Sequence, residues 1–377
     1  MGQITSIQVL RAIAALVVVI GHAQHDAAVT AARLGGAFGR SFLLPWGAGV
    51  DLFFVISGFI MVHASRDLFA RPGGARQFLI RRSIRIVPLY WLFASLYLAL
   101  QVLVWRLEGK PLPAPLDIAA SYLFIPVDTF LDGFPRPFFT LGWSLNYEMF
   151  FYLVFAALLL LPRFTAVLGV LSALVLLTIA GALTRPGSTI LNVWTSPIIL
   201  EFALGAAIAL ARAEGLVLGK ATRAILIGLG SALLMRDYLF SDLRALDWIT
   251  ANDFARLLAW GLPAAMIIAG ATLEEADEEA SRLLAPVTRA GLLLGDASYA
   301  LYLSHPFVVV LVRKLALAGG AYPVLGPWGV IATTLLAACA IALLTHHLIE
   351  KPMIAALRKR FEPRARDGLP RLSAKPA

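Results

Sequence analysis

The sequence predicts an all-α protein, a polytopic transmembrane helical bundle of about ten spans with both termini cytoplasmic. Two bulk observations carry this. Hydrophobic residues make up 59% of the chain and charged residues only 15%, whereas soluble domains lie near half and a quarter. The mean hydropathy is +0.80. A third observation is positional: the apolar residues come in runs near the roughly 20 residues that cross a bilayer, and the cations fall between them.

The runs occupy approximately residues 4–24, 46–64, 79–104, 138–161, 164–184, 196–211, 221–235, 254–273, 291–312 and 324–348. The seventh is the weakest, being short and flanked by Arg223 and Arg236. A Pro-rich stretch, 105–137, is the longest polar interruption. Residues 1–352 read as one membrane-embedded domain and 353–377 as a basic cytoplasmic tail without a fold of its own. With the N-terminus inside, the inner loops and tail hold 20 Lys and Arg and the outer loops 11, the asymmetry that cytoplasmic termini produce.

The net charge of +9 does not point to nucleic acid, because the cations follow the loops of a membrane topology. A single cysteine, Cys339, excludes an intrachain disulfide and a cysteine-based metal cluster. It sits in an apolar run and reads as packing. A cleaved signal peptide is not expected, because Arg11 interrupts what would be its apolar core.

The first run, ITSIQVLRAIAALVVVIGHAQ, holds Arg11 and His22. Eleven residues at about 100° each come within roughly 20° of three full turns, so both lie on one helix face, about 16 Å apart along the axis. A plainer reading has Arg11 snorkelling to the headgroups and His22 as a polar helix end. The predicted topology places His22, Asp51, Glu148 and His305, from four different spans, in the outer leaflet. Ionisable residues inside a membrane are costly and face a bundle interior or cavity. Taken singly, Asp51 or His305 reads equally well as a structural hydrogen-bonding residue.

The cytoplasmic side differs. RRSIRIVPLYW places Arg81, Arg82 and Arg85 at the mouth of the third span. Arg82 and Arg85 are three apart on one face, an arrangement that suits a phosphate-bearing ligand through charge-assisted bonds. Arg66, Arg71 and Arg76 read as positive-inside decoration. His346, His347, Glu350 and Lys351, in HHLIEKP, read as interfacial capping and pairing. Ser57, in FFVISGF, reads from its context as helix packing beside Gly58. Such a set suits a reaction across the membrane. An anionic donor enters at the arginines, and a hydroxyl is activated at His22, oriented by a carboxylate. No Gly-rich phosphate loop, HExxH metal spacing or GxSxG elbow is present, and no metal is expected.

Six motifs in order, LRAIAALVVVIGH, GAGVDLFFVISGFIM, RRSIRIVPLYWL, LGWSLNYEMFFYL, ASYALYLSHPF and IEKP, resemble those of the acyltransferase-3 membrane proteins. These O-acylate bacterial cell-surface polysaccharides, and the likeness is greatest to the exopolysaccharide- and O-antigen-acetylating branch. It covers roughly residues 5–352. The resemblance implies His22 as catalytic base, with Arg11 its partner in the donor tunnel and Arg82 and Arg85 attending acetyl-CoA. It implies that Glu148 and His305 belong to the site; Asp51 is expected in the catalytic set beside them, and Ser57 and Tyr90 among the donor-binding residues. Two departures stand out. Met149 follows Glu148 where the family commonly has a second carboxylate, and Ser304 precedes His305 where an aromatic residue is often found. Some members carry a soluble esterase-like domain after the last span, for which residues 353–377 are too short. Transfer is then completed within the membrane unit or by a separate partner.

The expected protein is therefore a bacterial inner-membrane acyltransferase. It would move an acetyl or similar short acyl group from cytoplasmic acetyl-CoA to a sugar hydroxyl of a polysaccharide or lipid-linked oligosaccharide, alongside polysaccharide synthesis machinery. The alternative is a secondary transporter with the same His, Asp and Glu set as a proton relay, against which no inverted repeat is visible. A scaffolding role leaves the intramembrane charges unexplained. Reporters fused after residues 130 and 245 should read outside, and those after 72 and 370 cytoplasmic. A cytoplasmic reading at 130 overturns this topology.

Overall fold

The structure is a computed structural model that describes residues 4–41, 43–107, 109, 112–130, 133–235, 254–274 and 285–362. A helix forms at each of the ten apolar stretches. In chain order the helices are α1 (Thr5–Arg33), α2 (Ala48–Ala64), α3 (Gly74–Leu107), α4 (Pro115–Tyr122), α5 (Gly142–Leu158), α6 (Arg163–Thr184) and α7 (Thr189–Trp194). They continue as α8 (Ile199–Ala213), α9 (Lys220–Leu234), α10 (Leu262–Thr272), α11 (Ala285–Asp296), α12 (Ser298–Ala318), α13 (Tyr322–Thr345) and α14 (Lys351–Phe361). No strand occurs among the described residues. Two π-helical turns interrupt the set, Leu257–Gly261 before α10 and His346–Glu350 between α13 and α14.

Local chemistry sets the helix ends. α1 runs beyond the expected residue 24 because AQHDAAVTAAR is rich in alanine, the best helix former. It stops where Gly35 takes up a positive φ. His22 is therefore mid-helix, which removes the reading of it as a polar helix end. α6 ends at Arg185 because Pro186 follows and cannot continue the ladder. Beyond residue 352 the chain stays helical to Phe361, so the first part of the expected tail is ordered, and 363–377 lie outside the described residues.

Among the described residues, seven helical segments are long and apolar enough to cross a membrane. The expected number of ten spans is not reproduced by that measure. α2 and α5, with 17 residues each, and α9, with 15, rise only about 26 and 22 Å against a hydrocarbon core of about 30 Å. α2 need not match that thickness alone, since it is enclosed by α1, α5, α8 and α10. The outer face is hydrocarbon. Leu183, Leu336 and Leu348 are 80%, 75% and 70% exposed, which suits lipid rather than water as the surrounding solvent. This is a multi-pass integral membrane protein.

The α2–α8 crossing is the tightest contact with consequences for the site. A Cβ on Gly205 would be driven into the Val55 carbonyl oxygen, and one on Gly58 into that of Phe202. Gly58, rather than Ser57, thus does the packing foreseen for the Ser-Gly pair, and Ser57 is released to face inward. Gly205→Ala should force the helices apart at a cost of about 1–3 kcal/mol or more, read as a lower melting temperature in detergent. An unchanged melting temperature would mean that this crossing does not constrain the bundle.

Candidate active site

Two cavities lie within the bundle and meet at Val50 and Tyr302, which line both. The larger, about 430 Å³, is lined by His22, His25, Asp26, Trp46, Trp143, Arg256, Trp260 and Pro306 among others. The smaller, about 140 Å³, is lined by Arg11, Ser57, Arg82, Arg85, Ser144, Glu148, Tyr152 and Tyr299 among others. We refer to them as the histidine and arginine cavities. α1 supplies a residue to each, Arg11 to one and His22 to the other, as their shared helix face requires.

In the histidine cavity, His22 Nδ1 lies 2.8 Å from His305 Nε2. His305 Nδ1 lies 3.2 Å from the Leu301 carbonyl oxygen, one turn back on α12. A carbonyl only accepts, so His305 Nδ1 carries a proton and donates it. In the neutral ring Nε2 is then the acceptor, so His22 Nδ1 donates to it. The basic lone pair of His22 is thereby fixed on Nε2. Pro306 follows directly and lacks the N–H that would bond the Tyr302 carbonyl, a local opening of α12 at the point where the imidazole turns back. The orienting group is an imidazole and not the carboxylate expected from the sequence.

Glu148 is not with His22. It lines the arginine cavity, where its Oε1 accepts from Ser57 Oγ at 2.9 Å and from Tyr152 Oη at 2.5 Å. α5 runs away from the histidine cavity after Trp143, and five residues carry Glu148 about 7.5 Å further along the axis. The expectation of four ionisable groups at one depth is corrected accordingly. Arg11, Arg82 and Arg85 gather as expected. Arg11 Nη1 donates to Gln8 Oε1 at 3.3 Å, Arg82 stacks 5.6 Å from the centre of the Phe78 ring, and Arg85 Nη1 lies 2.6 Å from Glu350 Oε1.

Asp51 and Tyr90 line neither cavity. Asp51, fully buried, accepts a two-pronged pair from Arg256, with Nε at 2.9 Å and Nη2 at 2.8 Å. Tyr90 is buried, donates to the Ser121 carbonyl oxygen at 3.2 Å and packs on Phe124 and Phe139.

Sequence reasoning gave Arg256 no role in the site. Its guanidinium is 2% exposed and sits 4.7 Å from the Trp260 ring centre and 5.7 Å from that of Trp143. The signal was present: Arg256 and Trp260 are one helical turn apart at the head of an apolar run. Glu201, fully buried near the Asp51–Arg256 pair, was also passed over, although it is a carboxylate inside the sixth run. HHLIEKP divides. His347 and Lys351 are exposed as expected, 3.5 Å apart, whereas His346 and Glu350 are buried, which corrects their reading as an interfacial pair.

The profile of the acyltransferase domain Acyl_transf_3 matches residues 4–347. The chain belongs to the acyltransferase-3 family. This family member is 32% identical to the exopolysaccharide production protein ExoZ of Rhizobium meliloti, over 83% of the chain and 91% of that protein. It is 27% identical to the acyltransferase MdmB of Streptomyces mycarofaciens, over 82% of the chain and 81% of that protein. No solved structure matches. The acyltransferase-3 member described here is thus an integral membrane acyltransferase acting on groups other than aminoacyl groups. The transporter alternative finds no support in these comparisons.

One consequence of the geometry is structural. Arg256→Met would leave the buried Asp51 and Glu201 without their cation, and breaking a buried pair costs about 3–5 kcal/mol. A melting curve in detergent should shift strongly downward. A wild-type curve would remove Arg256 from the supports of the site.

Proposed function

We propose that the protein transfers an acetyl or similar short acyl group from acyl-CoA to a sugar hydroxyl of an exopolysaccharide or its lipid-linked precursor. The donor sits at the arginine cavity and the acceptor at the histidine cavity. The observation that carries this reading is the His22–His305 pair, which sets a basic nitrogen at one of two adjoining cavities while three arginines line the other.

Guanidinium groups suit the phosphates of a nucleotide-linked donor, through short charge-assisted bonds. Buried Arg82 Nε has no hydrogen-bond partner among the described residues, so an anion in this cavity would answer an unmet donor. Tryptophans 46, 143 and 260 give the histidine cavity broad apolar faces beside polar groups, a lining that suits a sugar ring. ExoZ, by its name, takes part in exopolysaccharide production, which favours a glycan acceptor for this chain too.

In the proposed reaction His22 Nε2 takes the proton of the acceptor hydroxyl as its oxygen attacks the thioester carbonyl. A new C–O ester bond forms, the C–S bond breaks, and the thiolate leaves with its electron pair. His22 then returns the proton to the thiolate sulfur, so ester and thiol are produced with no net proton change. His305 holds the His22 tautomer, and Glu148, with Ser57 and Tyr152, lines the donor side. Asp51 acts through Arg256, whose plane it fixes against Trp143 and Trp260. With the arginine cavity towards the cytoplasm, where acetyl-CoA is made, and the histidine cavity outward, the termini and basic tail are cytoplasmic in the bacterial inner membrane.

His22→Gln keeps a polar side chain and removes the base. Purified protein given radiolabelled acetyl-CoA and the native glycan should lose about 10²–10⁴-fold in label transfer, the contribution of a positioned general base, while still accumulating in the membrane. Near-normal transfer by this variant would sink the mechanism. Uptake of an unmodified solute by the wild type would favour transport.

A further inference from the structure

The three arginines of the arginine cavity are not equivalent, and the difference lies in a buried carboxylate that the reaction above does not use. Glu350 is fully buried between two basic groups, hydrogen-bonded through one oxygen and in charge contact through the other. Oε1 lies 2.6 Å from Arg85 Nη1 and Oε2 lies 2.6 Å from His346 Nδ1. A carboxylate withdrawn from solvent is costly unless its partners are well placed, so this is not the trimming of a helix end.

The local backbone serves the same contact. His346–Glu350 form a π-helical turn, a form that appears mostly as single turns at functional sites. His346 and Glu350 point inward while His347, Leu348 and Ile349 face outward. α14 then lies along α3, where Arg81 and Arg358 approach Glu362 at 3.6 and 3.5 Å. The end of the chain's last long helix is thereby held against the arginines of α3.

We infer that Glu350 is a positioning residue, which holds the Arg85 guanidinium at the wall of the cavity that receives the anionic donor. The inference rests on the donor reading of this cavity. A guanidinium offers five N–H donors in one rigid plane. The Glu350 carboxylate lies 2.6 Å from Nη1 as an ion pair, without the alignment of a hydrogen bond, and its charge draws the guanidinium to this wall of the cavity, 6.0 Å from the centre of the Tyr299 ring. His346 closes the chain by occupying the other oxygen, so that the carboxylate cannot rotate away from Arg85. Placement of this kind strengthens binding by removing the cost of ordering a long side chain on association.

The test is a double-mutant cycle on the full chain in detergent, reading CoA binding and, separately, kcat and KM for acetyl-CoA. Glu350→Ala should weaken CoA binding and raise KM by roughly tenfold while kcat moves less than about threefold, the signature of lost donor ordering. Glu350→Asp, which keeps the charge, should recover part of the loss, and Glu350→Gln, which keeps only the shape, should not. Arg85→Ala/Glu350→Ala should bind CoA no worse than Arg85→Ala alone, because a residue that acts only through Arg85 has nothing left to act on. The double variant also removes both members of the buried pair, so the cycle stays readable if Glu350→Ala alone accumulates poorly. Losses that add in the double variant overturn the inference while wild-type CoA binding leaves the donor reading standing. A wild-type protein that binds no CoA overturns both.

Discussion

Outside the donor-facing pair Arg11 and Arg82, guanidinium groups inside a bundle whose outer face is hydrocarbon are answered by carboxylates, and these pairs organise much of the polar interior. Arg256 is answered by Asp51, Arg85 by Glu350, and Arg313 by Asp26 at 2.7 Å. Each pair joins segments far apart in sequence, so each also fixes how two parts of the bundle meet. Solvent cannot repair a broken pair here as it would at a protein surface, where such pairs contribute little. The interior pairs therefore serve two purposes at once. They hold the helices in register, and they hold guanidinium groups at the walls of both cavities.

How far this was legible in the sequence depends on where each partner comes from. The common face of Arg11 and His22 follows from helical period alone, and α1 does present both to cavities. The gathering of Arg82 and Arg85 follows from their spacing of three. Pairings across the bundle have no such local period. Nothing near Asp51 announces Arg256, 205 residues away, and nothing near His22 announces His305. Depth was the weaker guide. Counting residues along inserted spans placed Glu148 beside His22, but a shift of one or two turns is enough to carry a side chain from one small cavity into the next.

The short helices explain why the number of spans was less legible than the presence of helices. Apolar composition marks a helix that is buried as well as one that crosses lipid. α2 is apolar because α1, α5, α8 and α10 surround it, and its glycine at 58 lets α8 come close enough to do so. Enclosure and membrane crossing leave the same mark in sequence. Only the lengths of α2, α5 and α9 separate them.

The imidazole that replaces the expected carboxylate beside His22 has a chemical consequence within the proposed reaction. A carboxylate in that position stabilises the imidazolium that forms when the base takes a proton. His305 offers only the lone pair of a neutral ring, held in place by the Leu301 carbonyl. It selects the tautomer as well as a carboxylate would, but it adds no opposite charge to retain the proton. A base required to keep its proton would be poorly served. In acyl transfer from a thioester the proton is needed again at once, on the departing thiolate, so an imidazolium without a charged partner is suited to handing it on. The two requirements of the step, a defined lone pair and a proton soon released, are both met by a second histidine.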